Sequence, residues 1–230
     1  MSFNVHNALQ AMITSVSVPA KSGAGGFSEH SVIAIARDHG AGGKAIGAVL
    51  AQRLGVPLYD RQILEKIAER LKADPDSLHA LDEGVGSARE LWLYRMVTGI
   101  DLSPGTYRRH LVNVILSLAK IGGILCGRGA HVVLSTSAAL RVRITGSPGV
   151  CAERVAAKEN IPVEDALRRI EEVNHNRGKF VWDMFQSRLN DPTQFDLVIN
   201  TDRLTDHEHV VEMIVSASQA IGAYKHEREE

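Results

Sequence analysis

The sequence has few of the features that identify several classes of protein. It contains two cysteines, Cys126 and Cys151, and neither belongs to a C-x-x-C pair, so a zinc site or a disulfide framework is not expected. Cys126 lies in an apolar run and should be buried as a small hydrophobic residue. The formal net charge is -1, so no overall field attracts nucleic acid or membranes. No stretch approaches the roughly 20 apolar residues of a membrane span.

The length of 230 residues suits one sizeable α/β domain. Residues 1–30 combine an amphipathic helical pattern with a glycine-rich run at 22–26, which predicts an N-terminal helix and a flexible linker. The compact domain is expected over residues 31–222, followed by a charged C-terminal tail at 223–230. The chain does not begin with a basic segment followed by a continuous apolar one, so we expect a cytoplasmic protein.

Short apolar runs alternate with amphipathic helical patterns along the domain. Five predicted strands cover residues 32–36, 56–59, 124–126, 140–144 and 197–199, and residues 61–120 are predicted to be helical. Strands that alternate with helices are typical of a parallel sheet covered on both faces. The predicted fold is therefore a three-layer α/β domain with a five-stranded parallel sheet.

A glycine-rich turn follows the first predicted strand and leads into a helix. Helix N-termini attract anions through their unpaired N–H groups, and glycines let a phosphate approach the backbone without Cβ clashes. The turn therefore predicts a phosphate-binding site formed by Arg37, Gly40, Ala41, Gly42, Gly43, Lys44 and Ala45.

The turn departs from the Walker pattern G-x-x-x-x-G-K-[ST] in either of two registers. If Gly43-Lys44 is the G-K pair, Asp38 replaces the first glycine and Ala45 replaces the hydroxyl residue. If Gly42 is the second glycine, Gly43 replaces the lysine and Lys44 replaces the Ser/Thr. Both registers lack the hydroxyl that holds magnesium, so the turn alone also fits a strand-to-helix connection without a ligand.

A dinucleotide-binding turn is a rival interpretation. Gly40-x-Gly42-x-x-Ala45 fits G-x-G-x-x-[GA], and Asp60 ends the second predicted strand, where a ribose-binding acid would lie. Three residues separate the first strand from Gly40, however, and the long helical insertion before the third strand suits a kinase better. An oxidoreductase is therefore the remote alternative.

Basic residues elsewhere provide candidates for the rest of the site. Arg128 follows the third predicted strand directly, at the sheet edge where ligands bind, although a surface ion pair is the alternative. Arg177, Lys179 and Arg188 form a further basic group that we place on helices after Pro162. Such cations neutralise a transferring phosphoryl group in a closing lid, or they form a solvated helix face.

Three segments, residues 32–60, 127–130 and 195–201, together resemble the cytidylate-kinase-like family, and the resemblance covers about residues 31–218. The family pattern S-R-E-x-G-S-G-G-R-x-I-G is similar to residues 36–47, and L-G-[IV]-P-x-Y-D is similar to residues 54–60. The turn Gly127-Arg128-Gly129-Ala130 and the segment 195–201 also match. The resemblance favours the second register of the glycine turn.

The resemblance implies a P-loop kinase fold with a helical lid and a phosphotransferase that uses ATP with Mg²⁺. The acceptor would be a nucleoside monophosphate or another small molecule, bound by Arg128 and Asp60. The implied catalytic residues are Lys44, Asp60, Arg177 and Arg188, with Asp60 as a magnesium ligand through water. Nucleotide and acceptor are the expected partners, nucleic acid and membranes are not, and a homodimer remains open.

The sequence also departs from the family at two places. The aspartate that helps to read cytosine in true cytidylate kinases is Gly129 here, and of the lid pattern D-x-x-R-x-x-Y-Y only Arg177 remains. The glycine turn lacks the hydroxyl and, in the favoured register, the lysine, and these losses motivate a second hypothesis, a nucleotide- or ligand-binding module that has lost catalysis.

Overall fold

A computed structural model of the chain describes residues 31–61, 64 and 107–223. The strands in these ranges are β1 Val32–Arg37, β2 Leu58–Tyr59, β3 Gly123–Cys126, β4 Leu140–Thr145 and β5 Leu197–Asn200. The helices are α1 Gly43–Leu54, α2 Tyr107–Ile121, α3 Ala130–Val133, α4 Pro148–Glu159, α5 Val163–Phe185 and α6 His207–Ala220. A 3-10 turn spans Pro192–Gln194.

The five strands form one parallel sheet in the order β2-β3-β1-β4-β5. β1 lies in the centre, where Ile35 pairs with Cys126 of β3 on one side and with Val142 of β4 on the other. Because all strands run the same way, the loops that follow β1, β2 and β3 meet at one edge of the sheet. The predicted sheet is confirmed, with β2 shorter than the predicted run 56–59.

Alternate residues of β1 contribute to hydrophobic cores on opposite faces of the sheet. Val32, Ala34 and Ala36 pack with α2, α3 and the end of α5. Ile33 and Ile35 pack with α1, α4 and α6. A strand buried on both faces has a continuous apolar sequence, and this pattern indicated the three-layer arrangement.

Local signals set the limits of the helices beside the loops. α4 begins with Pro148 at its first position, where the missing N–H has no consequence. α1 ends at Gly55, which adopts a left-handed conformation with φ 65°. The apolar stripe Leu111, Ile115 and Leu118 of α2 is fully buried.

Several predictions concern residues outside the described ranges, namely the segment 1–30, residues 62–63 and 65–106, and the tail at 224–230. The prediction that Arg188 lies on a helix is wrong, because α5 ends at Phe185 and Gln186 turns the chain with a φ of 52°. Among the helices of the described ranges, none is long and apolar enough to cross a membrane.

Candidate active site

The glycine loop, residues 38–42 between β1 and α1, has a backbone that requires glycine. Gly40 and Gly42 have φ values of 83° and 78°, in the left-handed region. A Cβ on Gly40 would lie 2.7 Å from the Cβ of Cys151, and one on Gly43 would lie 2.6 Å from the Cβ of Arg37. The loop therefore packs directly against α4 and against the end of its own strand.

Hydrogen bonds from three distant segments hold the glycine loop in place. The N–H of Asp38 donates to the carbonyl of Ile144 (2.9 Å), the N–H of His39 to Oδ1 of Asn174 (2.8 Å), and the Thr201 hydroxyl to the carbonyl of Ala41 (3.1 Å). The first N–H groups of α1 have no acceptor within their own helix. A fixed loop at a helix N-terminus therefore presents these donors to an anion.

The cavity beside this loop, which we call the loop cleft, has a volume of about 460 Å³ and a largely cationic lining. Its basic side chains are Arg37, Lys44, Arg154, Lys158 and Arg177. Two carboxylates also line it, but each has a basic partner: Asp38 bonds Arg143 at 2.6 Å, and Glu159 bonds Arg169. The lining therefore suits a polyanion such as a chain of phosphates.

Arg177 connects α5 to the glycine loop. Its Nη1 donates to the carbonyl of Arg37 at 2.9 Å. Burial, together with the neighbouring charge of Arg37, lowers the pKa of Arg177 to about 10. The guanidinium therefore stays charged at neutral pH but is poorly solvated, and a bound anion would relieve that penalty.

A second glycine turn, residues 127–129, follows β3. Gly127, Arg128 and Gly129 have φ values of 92°, 52° and 73°. A Cβ on Gly127 would overlap the guanidinium of Arg37, and one on Gly129 would overlap the ring of Phe185. The turn is thus packed tightly on both sides while it presents Arg128, whose Cζ lies 4.2 Å from the centroid of the Phe180 ring.

The cavity beside this second turn, the arginine cleft, has a volume of about 350 Å³. Four arginines line it: Arg37, Arg61, Arg128 and Arg177. Burial, with contributions from Arg61 and Arg37, lowers the pKa of Arg128 to about 10. Because Arg37 and Arg177 also line the loop cleft, anions in the two cavities would lie beside shared cations.

Asp60 follows β2 and lines a third cavity, the β2 cleft, of about 300 Å³. Lys44, Arg37 and Arg61 share its lining. The predicted residues Asp60 and Lys44 therefore face one cavity, although they lie on different elements.

The described carboxylates fit Mg²⁺ as a partner of donor phosphates rather than as an ion in a protein cage. In the described ranges, no group of three or more His, Cys, Asp or Glu side chains could hold a metal ion. Asp38 accepts hydrogen bonds from Arg143 and Thr145 at 2.6 Å each. Mg²⁺ typically keeps several waters and binds one or two carboxylates plus substrate phosphates. The predicted role of Asp60 as its ligand through water stays a prediction.

Two predicted cations of the α5 region lie away from these three cavities. Arg188 is exposed, follows the end of α5, and is not among the residues that line the loop, arginine or β2 clefts. Lys179 is exposed and pairs with Asp183 at 2.5 Å. Arg154, in contrast, lines the loop cleft and donates to the carbonyl of Thr201 at 2.6 Å.

Sequence reasoning did not identify the residues that fix the glycine loop. Asn174 and Thr201 bond its backbone from 135 and 160 residues away, so no local pattern could indicate them. His207 was also missed; its Nε2 would lie 3.1 Å from a Cβ on Gly42.

The sheet order contradicts the dinucleotide interpretation. A dinucleotide-binding fold places the second strand beside the first, so that its acidic residue reaches the ribose at the glycine turn. Here β3 lies between β1 and β2, and Arg128, not Asp60, follows the strand next to the glycine loop. The dinucleotide-binding interpretation of the turn, on which the oxidoreductase alternative rested, is therefore wrong.

A central parallel sheet, a glycine loop at the start of a helix, and arginines from the turn after β3 and from α5 are the features of a P-loop kinase fold. The model of the cytidylate kinase-like family matches residues 32–203, so the chain belongs to that family. The family prediction and the P-loop kinase fold are confirmed.

Two individual proteins are also similar to this chain. The cytidylate kinase of Methanopyrus kandleri is 27% identical over 186 residues, which cover 79% of this chain and 90% of that protein. The crystal structure of an uncharacterized protein from Eubacterium ventriosum has a TM-score of 0.63 and 20% identity, covering 83% of this chain and 99% of that one. The similarity to the Eubacterium ventriosum structure supports the fold alone.

Proposed function

We propose that the protein transfers a phosphoryl group from ATP to a nucleoside monophosphate or another small acceptor in the cytoplasm. The family supports a kinase of the nucleotide kinase type. The observation that carries the proposal is the sharing of Arg37 and Arg177 by the loop cleft and the arginine cleft. A donor in one cavity and an acceptor in the other would place their reacting groups beside the same two cations.

Each cavity has a separate role in this proposal. The backbone of the glycine loop and Lys44 hold the donor phosphates, and Arg128 holds the acceptor phosphate. An acceptor oxygen attacks the terminal phosphorus of ATP, the bond from that phosphorus to the bridging oxygen breaks, and ADP leaves. Such a transfer needs positioning and charge neutralisation rather than a covalent enzyme intermediate.

Arg177 is the cation best placed to act on the group in transfer. It lies between the two cavities, it is fixed to the loop by its bond to the Arg37 carbonyl, and burial limits its solvation. Negative charge that develops during transfer would be neutralised there without reorganising water. When bound with ATP, Mg²⁺ would add to the neutralisation of the donor phosphates, and Asp60 is the residue that would hold it through a water.

The missing hydroxyl favours one alternative, a nucleotide-binding module without catalysis. Ala45 and Lys44 occupy the positions where either register would need Ser or Thr. A protein of this kind would bind ATP in the loop cleft but would not transfer its phosphate. The two functions therefore differ in turnover and not in binding.

The test is ADP formation from ATP and Mg²⁺ with each common nucleoside monophosphate in turn. We expect turnover with at least one acceptor, and a loss of about 10³-fold in kcat for Arg177→Ala, the lower end for an arginine that stabilises phosphoryl transfer. Asp60→Asn should also reduce the rate. Arg168→Ala is the matched control, because Arg168 lies on the same helix with 76% of its side chain exposed.

The outcomes separate the two functions. Binding of ATP without turnover of any acceptor would support the binding module, and full activity of Arg177→Ala would exclude Arg177 from catalysis. Unchanged activity of Asp60→Asn would exclude Asp60 as a holder of Mg²⁺.

A further inference from the structure

A fourth cavity, which we call the far cleft, lies on the opposite side of α5 from the arginine cleft. Its volume is about 540 Å³, larger than that of the loop, arginine or β2 clefts. Arg143 and Thr145 of β4 line one side, Asn174, Gly178 and Lys179 of α5 line a second, and residues 189–192 line a third. A volume of several hundred Å³ suits a small-molecule ligand.

The far cleft is lined by a buried arginine, Arg143, one of whose guanidinium nitrogens makes no hydrogen bond within the part of the chain that the structure describes. Arg143 is only 5% exposed. Its Nη2 donates to Asp38 at 2.6 Å and to Asn190 at 3.1 Å. Its Nη1, in contrast, is buried and has no hydrogen-bond partner among the described residues. A buried guanidinium N–H without an acceptor is costly, which favours a ligand with acceptor oxygens at this position.

Gly178 keeps the α5 side of the far cleft open. It lies within a helix of 23 residues, where glycine costs about 1 kcal/mol relative to alanine. A Cβ at this position would meet nothing within 4 Å, so packing in the described structure does not require a glycine. A longer side chain would start from the lining of the cleft and reduce its space.

The remaining polar groups of the far cleft are mainly donors. The amide oxygens of Asn174 and Asn190 already accept from His39 and Arg143, which leaves their NH₂ groups to donate. Lys179 adds an exposed ammonium group, which pairs with Asp183 at 2.5 Å and has further N–H groups to donate. The carboxylate of Asp38 is bound by Arg143 and Thr145, and that of Asp191 by Thr193. Phe195 and Val198 add apolar surface.

The lining of the far cleft also supports the glycine loop. Asp38 starts the loop, Asn174 accepts the N–H of His39, and Cys151 packs against Gly40. A ligand that shifted any of these three residues would move the backbone that lines the loop cleft.

We propose that the far cleft binds a small organic anion, with a phosphate or carboxylate group at Arg143 and Lys179 and an apolar body at Phe195 and Val198. We further propose that its occupancy changes the affinity of the loop cleft for anions. The site is separate from the proposed donor and acceptor sites, so its test does not depend on phosphoryl transfer.

Phenyl phosphate is a suitable probe because it joins a phosphate to an apolar ring. We would follow assigned histidine ring signals by NMR at fixed pH, because His175 lines the far cleft whereas His39 and His207 line the loop cleft. The His175 signal should shift and saturate. Gly178→Gln should weaken the saturation at His175 at least tenfold.

Val198→Glu provides a second variant, since Val198 is 45% exposed and tolerates a polar side chain without loss of core packing. The new carboxylate should weaken the binding at His175 by about three- to tenfold through like-charge repulsion. No shift of His175 with phenyl phosphate, or identical saturation in the wild type and both variants, would overturn the site.

The coupling is tested with inorganic triphosphate, which needs no nucleoside recognition. Its dissociation constant, read from His39 and His207, should change about fivefold or more when phenyl phosphate saturates the wild type. The change should disappear in Gly178→Gln. An equal change of the triphosphate dissociation constant in Gly178→Gln would place the effect at another site and overturn the coupling. An unchanged dissociation constant in the wild type would also overturn it.

Discussion

The glycine loop and the turn after β3 are built alike but expose different groups. Each follows a buried strand, contains left-handed glycines and packs against Arg37. The glycine loop leads into a helix of 12 residues and is bonded from distant segments. The turn after β3 leads into a helix of only four residues and is covered by Phe185.

This difference indicates two ways to bind a phosphate. A long helix provides a partial positive charge and free N–H groups at its start, so the glycine loop can bind an anion through its backbone. A helix of a single turn contributes little of that field. The turn after β3 instead presents a side chain, Arg128, whose planar fork suits phosphate oxygens.

The largest expected effect tests the packing of the turn after β3. Gly129→Ala should lower the free energy of unfolding by about 3 kcal/mol, because a left-handed φ is unfavourable for alanine and its Cβ would displace the buried ring of Phe185. The measurement is urea denaturation. Gly149→Ala is the control, since a Cβ there meets nothing within 4 Å. A loss below about 0.5 kcal/mol for Gly129→Ala would contradict the packing argument.

Arg128→Ala separates the two phosphate sites. Loss of a charged hydrogen bond should weaken acceptor monophosphate binding by about 1.5–3 kcal/mol, while ATP affinity at the glycine loop stays the same. Isothermal titration with each ligand measures both. Arg128→Lys should fall between the wild type and the alanine variant, because it keeps the charge and loses the fork. An equal loss for both ligands would show that the two turns do not act as separate sites.

The pH dependence of stability should come mainly from the helix after β3. Burial, with smaller contributions from Arg143 and Arg141, lowers the pKa of His131 from 6.5 to about 3. Between these values the unfolded chain binds a proton that the folded protein does not, so stability falls as the pH falls. From pH 7 to pH 5 the loss should be about 2 kcal/mol.

Urea denaturation at the two pH values measures this loss, and His131→Phe, which can still stack on Phe195, should remove most of it. Burial also lowers the pKa of His39 in the glycine loop, but His39 is only partly buried. If the pH dependence of stability disappears in His39→Phe and persists in His131→Phe, His39 and not His131 is its source.

The smallest expected effect concerns the anchoring of the glycine loop. Thr201→Val removes the hydroxyl that donates to the Ala41 carbonyl, and both residues are buried. The unsatisfied carbonyl should lower stability by about 1 kcal/mol and weaken ATP binding by a similar amount. Thr193→Val is the control, because the Thr193 hydroxyl bonds Asp191 at an exposed position. Equal effects of both changes would argue against anchoring.

The fold could be predicted from the sequence because its signals are local. The apolar run at β1, the Ser147-Pro148 start of α4 and Gly55 at the end of α1 each act within a few residues. Lys44 and Asp60 line the β2 cleft, and Arg128 and Arg177 line the arginine cleft, because each lies on or beside an element that the sequence pattern located. The helical placement of Arg188 could not be corrected from the sequence, because α5 ends at a left-handed Gln186 and no glycine signals this end.

The sequence by itself determined the parallel sheet, the glycine loop at the start of a helix and the family, because apolar periodicity and short motifs depend on neighbouring residues. Tertiary structure alone decided that β3 separates β2 from β1, that Asn174 and Thr201 hold the loop, and that Arg143 neutralises Asp38. These features join residues up to 160 positions apart, and such contacts follow from how complete elements pack, not from any local preference.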